Sequence, residues 1–424
     1  MEQLETRLTQ GMLDETLVRL YGKDRLEQAR TRCASVLAGF TKTFQTAPTS
    51  LFSAPGRTEI GGNHTDHQHG CVLAAGVNLD ILAAVAQNDS GIIRIQSEGY
   101  PLIEVNLNEL TPKPEEQNTS ASIIRGVAAR LSALGCPLEQ AGLDAYMVSD
   151  VPGGSGLSSS AAFEVLIGTM LNELFWDGKC TPVEIAQIGQ YAENVFFGKP
   201  SGLMDQMASS VGGVVAIDFA DNDHPVVEQV SLDLTANGYA LCILNSGAGH
   251  ADLTNEYAAI AMEMKAVSRC FGKEVLRDVP EEEFLKKLPA VRAETGDRAV
   301  LRAMHFYADN RCAVEEAEAL RQGDFPKFLR LVRASGISSG LYLQNIIPCG
   351  QTNHQELMLT IALCEKILGD RGAVRVHGGG FGGTAQAFVP LDLLEEFKTR
   401  TEAVLGEQSC QVLTIRPVGG VRLA

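Results

Sequence analysis

Three stretches of this sequence hold residues whose types and spacing could do chemistry. The first, Asp150-Val-Pro-Gly-Gly-Ser-Gly-Leu-Ser-Ser-Ser-Ala-Ala-Phe-Glu-Val165, passes from the end of a strand-like run through glycines into a helix-like one. Gly153, Gly154 and Gly156 permit positive φ and close backbone approach. Ser155, Ser158, Ser159 and Ser160 fall where the first N–H groups of a helix lack partners and the helix dipole is positive. An anion such as a phosphate fits that arrangement. The loop has neither the Gly-Lys-Ser/Thr ending of a Walker A loop nor the Gly-x-Gly-x-x-Gly spacing of a dinucleotide site. One serine is enough to cap a helix, so three in a row leave hydroxyls over for a phosphate and Mg²⁺. Taken alone, the stretch also fits an ordinary capped glycine turn.

The second stretch is a dense polar turn, Asn63, His64, Asp66, His67 and His69, following Pro55-Gly-Arg57. An aspartate accepts two hydroxyl protons and Asn and His each give and take one, which suits a polyhydroxylated ligand; a solvated turn is the plainer alternative. Zinc is not expected. His64-Thr-Asp-His67 matches only half of the metallo-β-lactamase motif, with Gly62 where its first His belongs, and the histidines at 224, 250, 305, 354 and 377 show no ligand spacing. The third stretch, Val376-His-Gly-Gly-Gly-Phe-Gly-Gly-Thr384, surrounds one phenylalanine with five glycines, which suggests close approach to a ligand or to the first loop. Glu193 and Asp205 flank a further glycine turn. One carboxylate near the serine loop could hold Mg²⁺ opposite a serine, and the other could orient or deprotonate a hydroxyl. Without other clues they read as a solvated helix residue and a helix cap.

Elements of both kinds must position these residues. Residues 1–47 carry apolar faces on two helices around Tyr21-Gly22 and are expected to pack on the outside. Strands flank the polar turn, a hairpin is expected over Ile92–Gln96 and Leu102–Leu107, and a helix over Thr119–Leu134. A strand from Gly142 to Ser149 leads into the serine loop and a helix from Leu157 to Leu174. Thr181-Pro-Val-Glu184 is a capping box opening a helix that runs to Phe197. A short helix starts at Leu203 and a strand covers Val214 to Phe219. The polar stretch 220–225 marks a boundary, giving a helical extension (1–47), a first domain (48–222) and a second (223–424). The second alternates strands with long helices, so the class is α+β.

With 424 residues, 45% hydrophobic and 21% charged, the chain has the composition of a soluble globular protein. Its net charge of −17 argues against a nucleic-acid or anionic-membrane partner. A signal peptide, a lipidation signal and a long apolar run are all missing, so a cytoplasmic location is expected. Ten scattered cysteines without a Cys-x-x-Cys pair fit reduced thiols.

Ala54-Pro-Gly-Arg57 with Gly62-Asn-His-Thr-Asp66, then the serine loop, then Gly202-Leu-Met-Asp-Gln206, then Gly378-Gly-Gly-Phe-Gly-Gly383 stand in the order in which they occur in a known family. The chain resembles the GHMP kinases, and among them the galactokinases, from about residue 50 onward. His250 with Tyr257 is similar to the family's sugar-side tyrosine segment. The resemblance implies a first domain like the second domain of ribosomal protein S5, a ferredoxin-like second domain and an active site between them. It implies Asp205 as catalytic aspartate with Arg57 beside the transferred phosphoryl group. Pro152, Gly153, Gly154, Ser155, Gly156, Leu157, Ser158, Ser159 and Ser160 would cradle ATP. Ser160 and Glu193 would ligate Mg²⁺. Asn63, His64, Asp66, His67, Gly202 and Tyr257 would bind the sugar, and Gly378, Gly379, Gly380, Gly382 and Gly383 would form a supporting loop. The expected reaction is ATP-dependent phosphorylation of the anomeric hydroxyl of a galactose-type sugar, giving galactose 1-phosphate and ADP, by a monomer or weak homodimer.

The sequence departs from the family on the sugar side. Galactokinases usually carry Glu at position 63, holding the C6 hydroxyl, and Tyr at 67. Asp66-His-Gln68 instead resembles galacturonokinases, and an Asn63 N–H₂ with His67 would accept a C6 carboxylate. Glu59, Gly249 and His377 stand where Asn, Arg and Thr are common. A silent sugar sensor of the same fold is the alternative of another class, although Ser160-Ala161 and Asp205 are kept.

Overall fold

The computed structural model describes residues 4–139, 141–153, 156–249 and 253–424. Helices α1 (Leu4–Thr9), α2 (Asp14–Tyr21) and α3 (Leu26–Phe44) come first. The described residues of the extension therefore form three α-helices rather than two, because Gly11 and Gly22, at φ 75° and 87°, each break the run. Next come β1 (Ser50–Gly61), β2 (Cys71–Gln87), β3 (Ile92–Ser97), β4 (Ile103–Asn106), α4 (Ser120–Ala133), β5 (Leu143–Ser149), α5 (Ser159–Phe175), α6 (Pro182–Tyr191), a π-helical turn Ala192–Phe197, α7 (Met204–Val211), β6 (Val214–Asp218) and β7 (Val226–Val230). After them follow β8 (Tyr239–Asn245), α8 (Thr254–Arg269), α9 (Glu281–Lys286), α10 (Leu288–Thr295), α11 (Asp297–Arg321), α12 (Phe325–Ser338), a second π-helical turn Ser339–Leu343, α13 (Glu356–Leu368), β9 (Ala373–His377), β10 (Thr384–Pro390), α14 (Leu394–Leu405), β11 (Cys410–Leu413) and β12 (Val421–Arg422). The Thr181–Glu184 capping box is formed as read. Among the described residues, no helix is long and apolar enough to cross a membrane.

The first sheet runs β12-β1-β2-β5-β3-β4, with β6 beside the first half of β2 and β7 beside β6. Among the described residues, only β3 and β5 pair in parallel. Strand β2 reads as one apolar run because both of its faces are covered. Ile81, Ala83 and Val85 face the core under α4 and α5, while Leu82, Ala84 and Ala86 alternate to the other face and meet Leu17, Leu20, Val36, Leu37 and Phe40 of the N-terminal helices. Residues 1–47 thus close the outer face of this sheet. The polar stretch 220–225 joins β6 to β7 as a hairpin, so the strand beyond the expected boundary stays with the first sheet, and β12 returns to it through Phe52↔Arg422 and Ser53↔Val421.

One buried carboxylate pins these layers together. Asp80 accepts from Tyr21 Oη at 2.6 Å, from Arg416 Nη1 at 2.8 Å, and also from Ser53 and Arg32. Burial would push this carboxyl up, but the two guanidinium charges hold it below the usual range.

The second sheet is antiparallel throughout, in the order β11-β8-β10-β9, which is the strand order of a ferredoxin-like βαββαβ unit. Leu244, Val374, Val376 and Ala385 pack under α13 and α14. Leu241, Ile243 and Phe388 point to the other face and join α12 in the core of the first sheet. The site lies where the two sheets meet.

Candidate active site between the two sheets

The end of β1 carries the central ion pair. Arg57 is buried, and its Nε and Nη2 donate to Asp205 Oδ1 and Oδ2 at 2.7 and 2.9 Å, a two-point fork from β1 to the first turn of α7. Burial tends to raise the Asp205 carboxyl, yet the Arg57 charge and the bonds from Arg57 and Ser158 keep it below the ordinary carboxylate range. Arg57 also grips the serine loop: its Nη1 donates to Gly156 O and its backbone N–H to Leu157 O at 3.0 Å.

The loop differs in detail from its sequence reading. Among its described residues, positive φ occurs at Gly156 (71°) and at Ser158 (56°), not at Gly153. The left-handed turn at Ser158 sends its hydroxyl to Asp205 Oδ2 at 2.7 Å instead of capping α5. Ser159 and Ser160 open α5, with Ser160 exposed, and Gly153 is exposed before them. Pro152 is half-buried and Leu157 fully buried; Gly154 and Ser155 lie outside the described residues. The α5 N-terminus is thus open to an anion, with Arg57 and Asp205 behind it.

On the sugar side, His64, Asp66 and His67 sit half-buried on the 62–70 turn. His64, itself at φ 57°, donates from Nε2 to Gly379 O at 3.0 Å, and burial drives its pKa down to about 4. Burial, and then the Asp205 charge, push the Asp66 carboxyl up to about 6. Gly202 touches Asp66 so closely that a Cβ there would fall on its carboxylate. The His67 ring lies 5.7 Å from that of His64, and burial and His64 lower its pKa to about 3. Tyr257, on α8, donates to Gly380 O at 3.0 Å and stacks edge-on against Phe381. His250 lies outside the described residues.

Asn63 departs from its expected role. Its side chain is buried and already saturated: Nδ2 donates to Glu59 Oε1 and Gly378 O, both at 2.8 Å, and Oδ1 accepts from Asn345 at 2.8 Å and Ser339 at 3.2 Å. No N–H is left for a sugar, so the argument that this amide welcomes a C6 carboxylate falls away. Nothing near Asn63 in sequence, except Glu59, signals this network. Ser339, Asn345 and Gly378 arrive from remote elements.

The second glycine loop packs on the first. Gly378 approaches Gly156 O, and a Cβ on Gly156 would meet Thr384 and His377. His377 is buried and held neutral; burial and the Arg57 charge keep its pKa well below the usual imidazole value. Its Nε2 accepts from the Glu59 N–H at 3.3 Å, so the proton sits on Nδ1, toward Thr384 Oγ1 at 3.0 Å. Gly382 abuts Gly249 O, and Gly380 and Gly383, at φ 82° and 74°, complete the tight path.

Glu193 is buried in the first π-helical turn rather than solvated. Its carboxylate accepts from Lys199 at 2.8 Å, from Gln206 at 3.0 Å and from Ser201, and Gln206 also bridges to the buried Glu164 at 2.8 Å. Burial and the Glu193 charge push the Glu164 carboxyl well above the ordinary carboxylate range. Among the described residues no group of three or more His, Cys, Asp or Glu could hold a metal by itself. The oxygen donors Ser160 and Glu193 nonetheless suit Mg²⁺, which takes one or two protein oxygens and completes its shell with phosphates and water.

Residues 122–213 match the GHMP kinases N terminal domain, and residues 38–87 match the galactokinase galactose-binding signature. A galactokinase from Actinobacillus pleuropneumoniae is 33% identical over 353 residues, covering 81% of this chain and 86% of the relative. The chain belongs to the galactokinase family of GHMP kinases. A second galactokinase, from Glaesserella parasuis, is 32% identical over 365 residues, covering 85% of this chain and 90% of the relative. Among solved structures, Lactococcus lactis galactokinase complexed with galactose superposes with a TM-score of 0.79 at 25% identity, over 92% of this chain and 99% of that one. A mevalonate kinase from L. major, at 16% identity and a TM-score of 0.59 over 88% of this chain and 97% of that one, shares the fold. As a galactokinase-family member the protein has the GHMP kinase fold and is a sugar kinase, with a small sugar as substrate and ATP as its family's phosphoryl donor.

Proposed function

We propose that this protein transfers the γ-phosphoryl group of ATP to the C1 hydroxyl of galactose, giving galactose 1-phosphate and ADP. The observation that carries the reading is the Arg57–Asp205 fork, tied to the phosphate loop by Ser158 and Gly156 and flanked on its other side by Asp66 and Gly202. The triphosphate lies along 152–160 at the α5 N-terminus. The sugar lies against His64, Asp66, Gly202 and Tyr257, which brings its C1 hydroxyl to Asp205. Phosphoryl transfer through a loose transition state needs positioning and charge compensation more than a strong base. Asp205, ionised at neutral pH, aligns the hydroxyl and takes up its proton as the new bond forms, while Arg57 offsets charge on the transferring group. Mg²⁺ bound with the nucleotide would be held by Ser160 and Glu193 and would supply further charge compensation.

His67 shapes the sugar-side wall behind His64, and the 378–383 loop fixes the distance between sugar and phosphate subsites. The protein acts as a monomer or weak homodimer in the cytoplasm, without nucleic-acid or membrane partners. A coupled ADP-release assay over galactose, galacturonate, arabinose and N-acetylgalactosamine tests the reading. Galactose is expected to be turned over fastest, and an absence of turnover with all four sinks it.

A further inference from the structure

Asn63 makes more connections than a residue that reads a substrate can spare. Beside its saturated amide, its backbone N–H donates to Asp309 Oδ2 at 2.6 Å and its carbonyl accepts from His305 Nε2 at 2.9 Å, both on α11. It therefore joins β1 (Glu59), α11, the second π-helical turn (Ser339), Asn345 and the second glycine loop (Gly378). Asn345 repeats the pattern. Its Nδ2 also donates to Gly379 O at 3.1 Å, its carbonyl accepts from the Phe381 N–H, and Gly380 has no room for a Cβ against it. The two asparagines thus clamp the 62–70 turn onto the 378–383 loop. Two of the proposed sugar contacts hang on that clamp: His64 is the next residue and bonds Gly379 O, and Tyr257 bonds Gly380 O with Phe381 backing its ring.

We infer that Asn63 is a positioning residue, which with Asn345 locks the sugar-binding turn to the second glycine loop and sets where His64 and Tyr257 meet the sugar, without touching the sugar itself. An amide suits this post because it alone offers two donors and two acceptors in one plane. Those donors answer Glu59 and the Gly378 carbonyl, and its acceptor answers Ser339 and Asn345. A carboxylate at 63 would offer Glu59 a like charge and leave Gly378 O without its donor. The inference rests on the proposed sugar kinase reading.

A double-mutant cycle in the full chain tests it, with Asn63→Ser, Asn345→Ser and the pair, reading KM for galactose, KM for ATP and kcat, and with folding checked by thermal melting. Each single change is expected to raise the galactose KM by about 10- to 100-fold, since small misplacements of binding groups cost that much. The pair is expected to be no worse than the weaker single variant, because both substitutions open the same clamp. A merely depleted folded fraction would lower kcat and leave KM alone. Multiplying effects, a galactose KM unchanged in Asn345→Ser, or a loss confined to kcat would each overturn the inference. Should Asn63→Ser fail to fold, Ser339→Ala removes only the 3.2 Å bond. A raised galactose KM in that variant supports the clamp and an unchanged one overturns it. A wild-type protein with no sugar turnover removes the sugar kinase reading and the inference together, whereas a turning-over wild type with multiplying effects removes the inference alone.

Discussion

Gly202 has no side chain for a reason that lies one contact away: the Asp66 carboxylate occupies the space where its Cβ would be. Gly202→Ala should push Asp66 out of its place against the sugar and raise the galactose KM by about tenfold or more, with a smaller effect on the ATP KM; steady-state kinetics with each substrate varied will show it. Asp205→Asn keeps the shape of the fork but removes its charge, leaving Arg57 facing a neutral amide. Turnover should fall by about 10²–10⁴-fold, the range for a group that handles the reacting proton. A sugar sensor would keep its sugar response in that variant. At this scale the sequence was informative wherever chemistry sits in a short run. The serine loop, the aspartate motif and Arg57 can all be read from neighbours a few positions away. Ser158 illustrates the limit: its type is plain in the sequence, but only the left-handed backbone at that residue turns its hydroxyl to Asp205. The role of Asn63 is hidden in the sequence for the same kind of reason, since three of its four side-chain partners lie hundreds of residues downstream.

Among the elements, the N-terminal helices were legible as amphipathic segments, but their destination was not. An apolar stripe tells that something is covered, and the alternation of Leu82, Ala84 and Ala86 on β2 tells what. The join is made directional by Asp80, whose charge answers Arg32 on α3 and Arg416 in the segment leading to β12. Asp80→Ala should leave two guanidinium groups without their counter-charge in a dry interface and cost about 3–5 kcal/mol, which urea or guanidinium unfolding will measure. Asp80→Asn should cost less, because the amide oxygen still accepts from Tyr21 or Arg416. Hairpins and helices set by local pattern, such as β3–β4 and α4, lie where periodicity places them. The π-helical turns at 192–197 and 339–343 have no such local signature, yet they carry Glu193 and Ser339.

Taken as a whole molecule, the site is a buried polar seam between two sheets, and that governs its response to pH. The folded protein keeps His64 neutral down to about pH 4, whereas the unfolded chain takes up that proton near 6.5. Stability from this group is therefore lost as pH falls through that window. Glu59 and Asp66, pushed up to about 7 and about 6, act with the opposite sign: the folded protein binds those protons first, so stability is gained as pH falls from about 7 toward the ordinary carboxyl range. The two sets oppose each other, and the melting midpoint should change by only a few degrees between pH 7 and 5. His377→Gln unbalances them. It removes one imidazole that resists protonation, so the variant's midpoint relative to wild type should rise as pH drops from 7 to 5; a difference independent of pH would mean that His377 takes up its proton in the fold as readily as in the unfolded chain, and a falling one that it is charged in the fold. The strand at 421–422 has a consequence of another kind. Because β12 zips onto β1 and Arg416 answers Asp80, the first sheet stays open along one side while all of the second sheet is still being made on the ribosome. At about 5–20 residues per second that interval is on the order of 10 s or more. During it, β1 presents an unpaired edge, and the nascent chain needs shelter from other strands until residues 414–424 emerge and shut it.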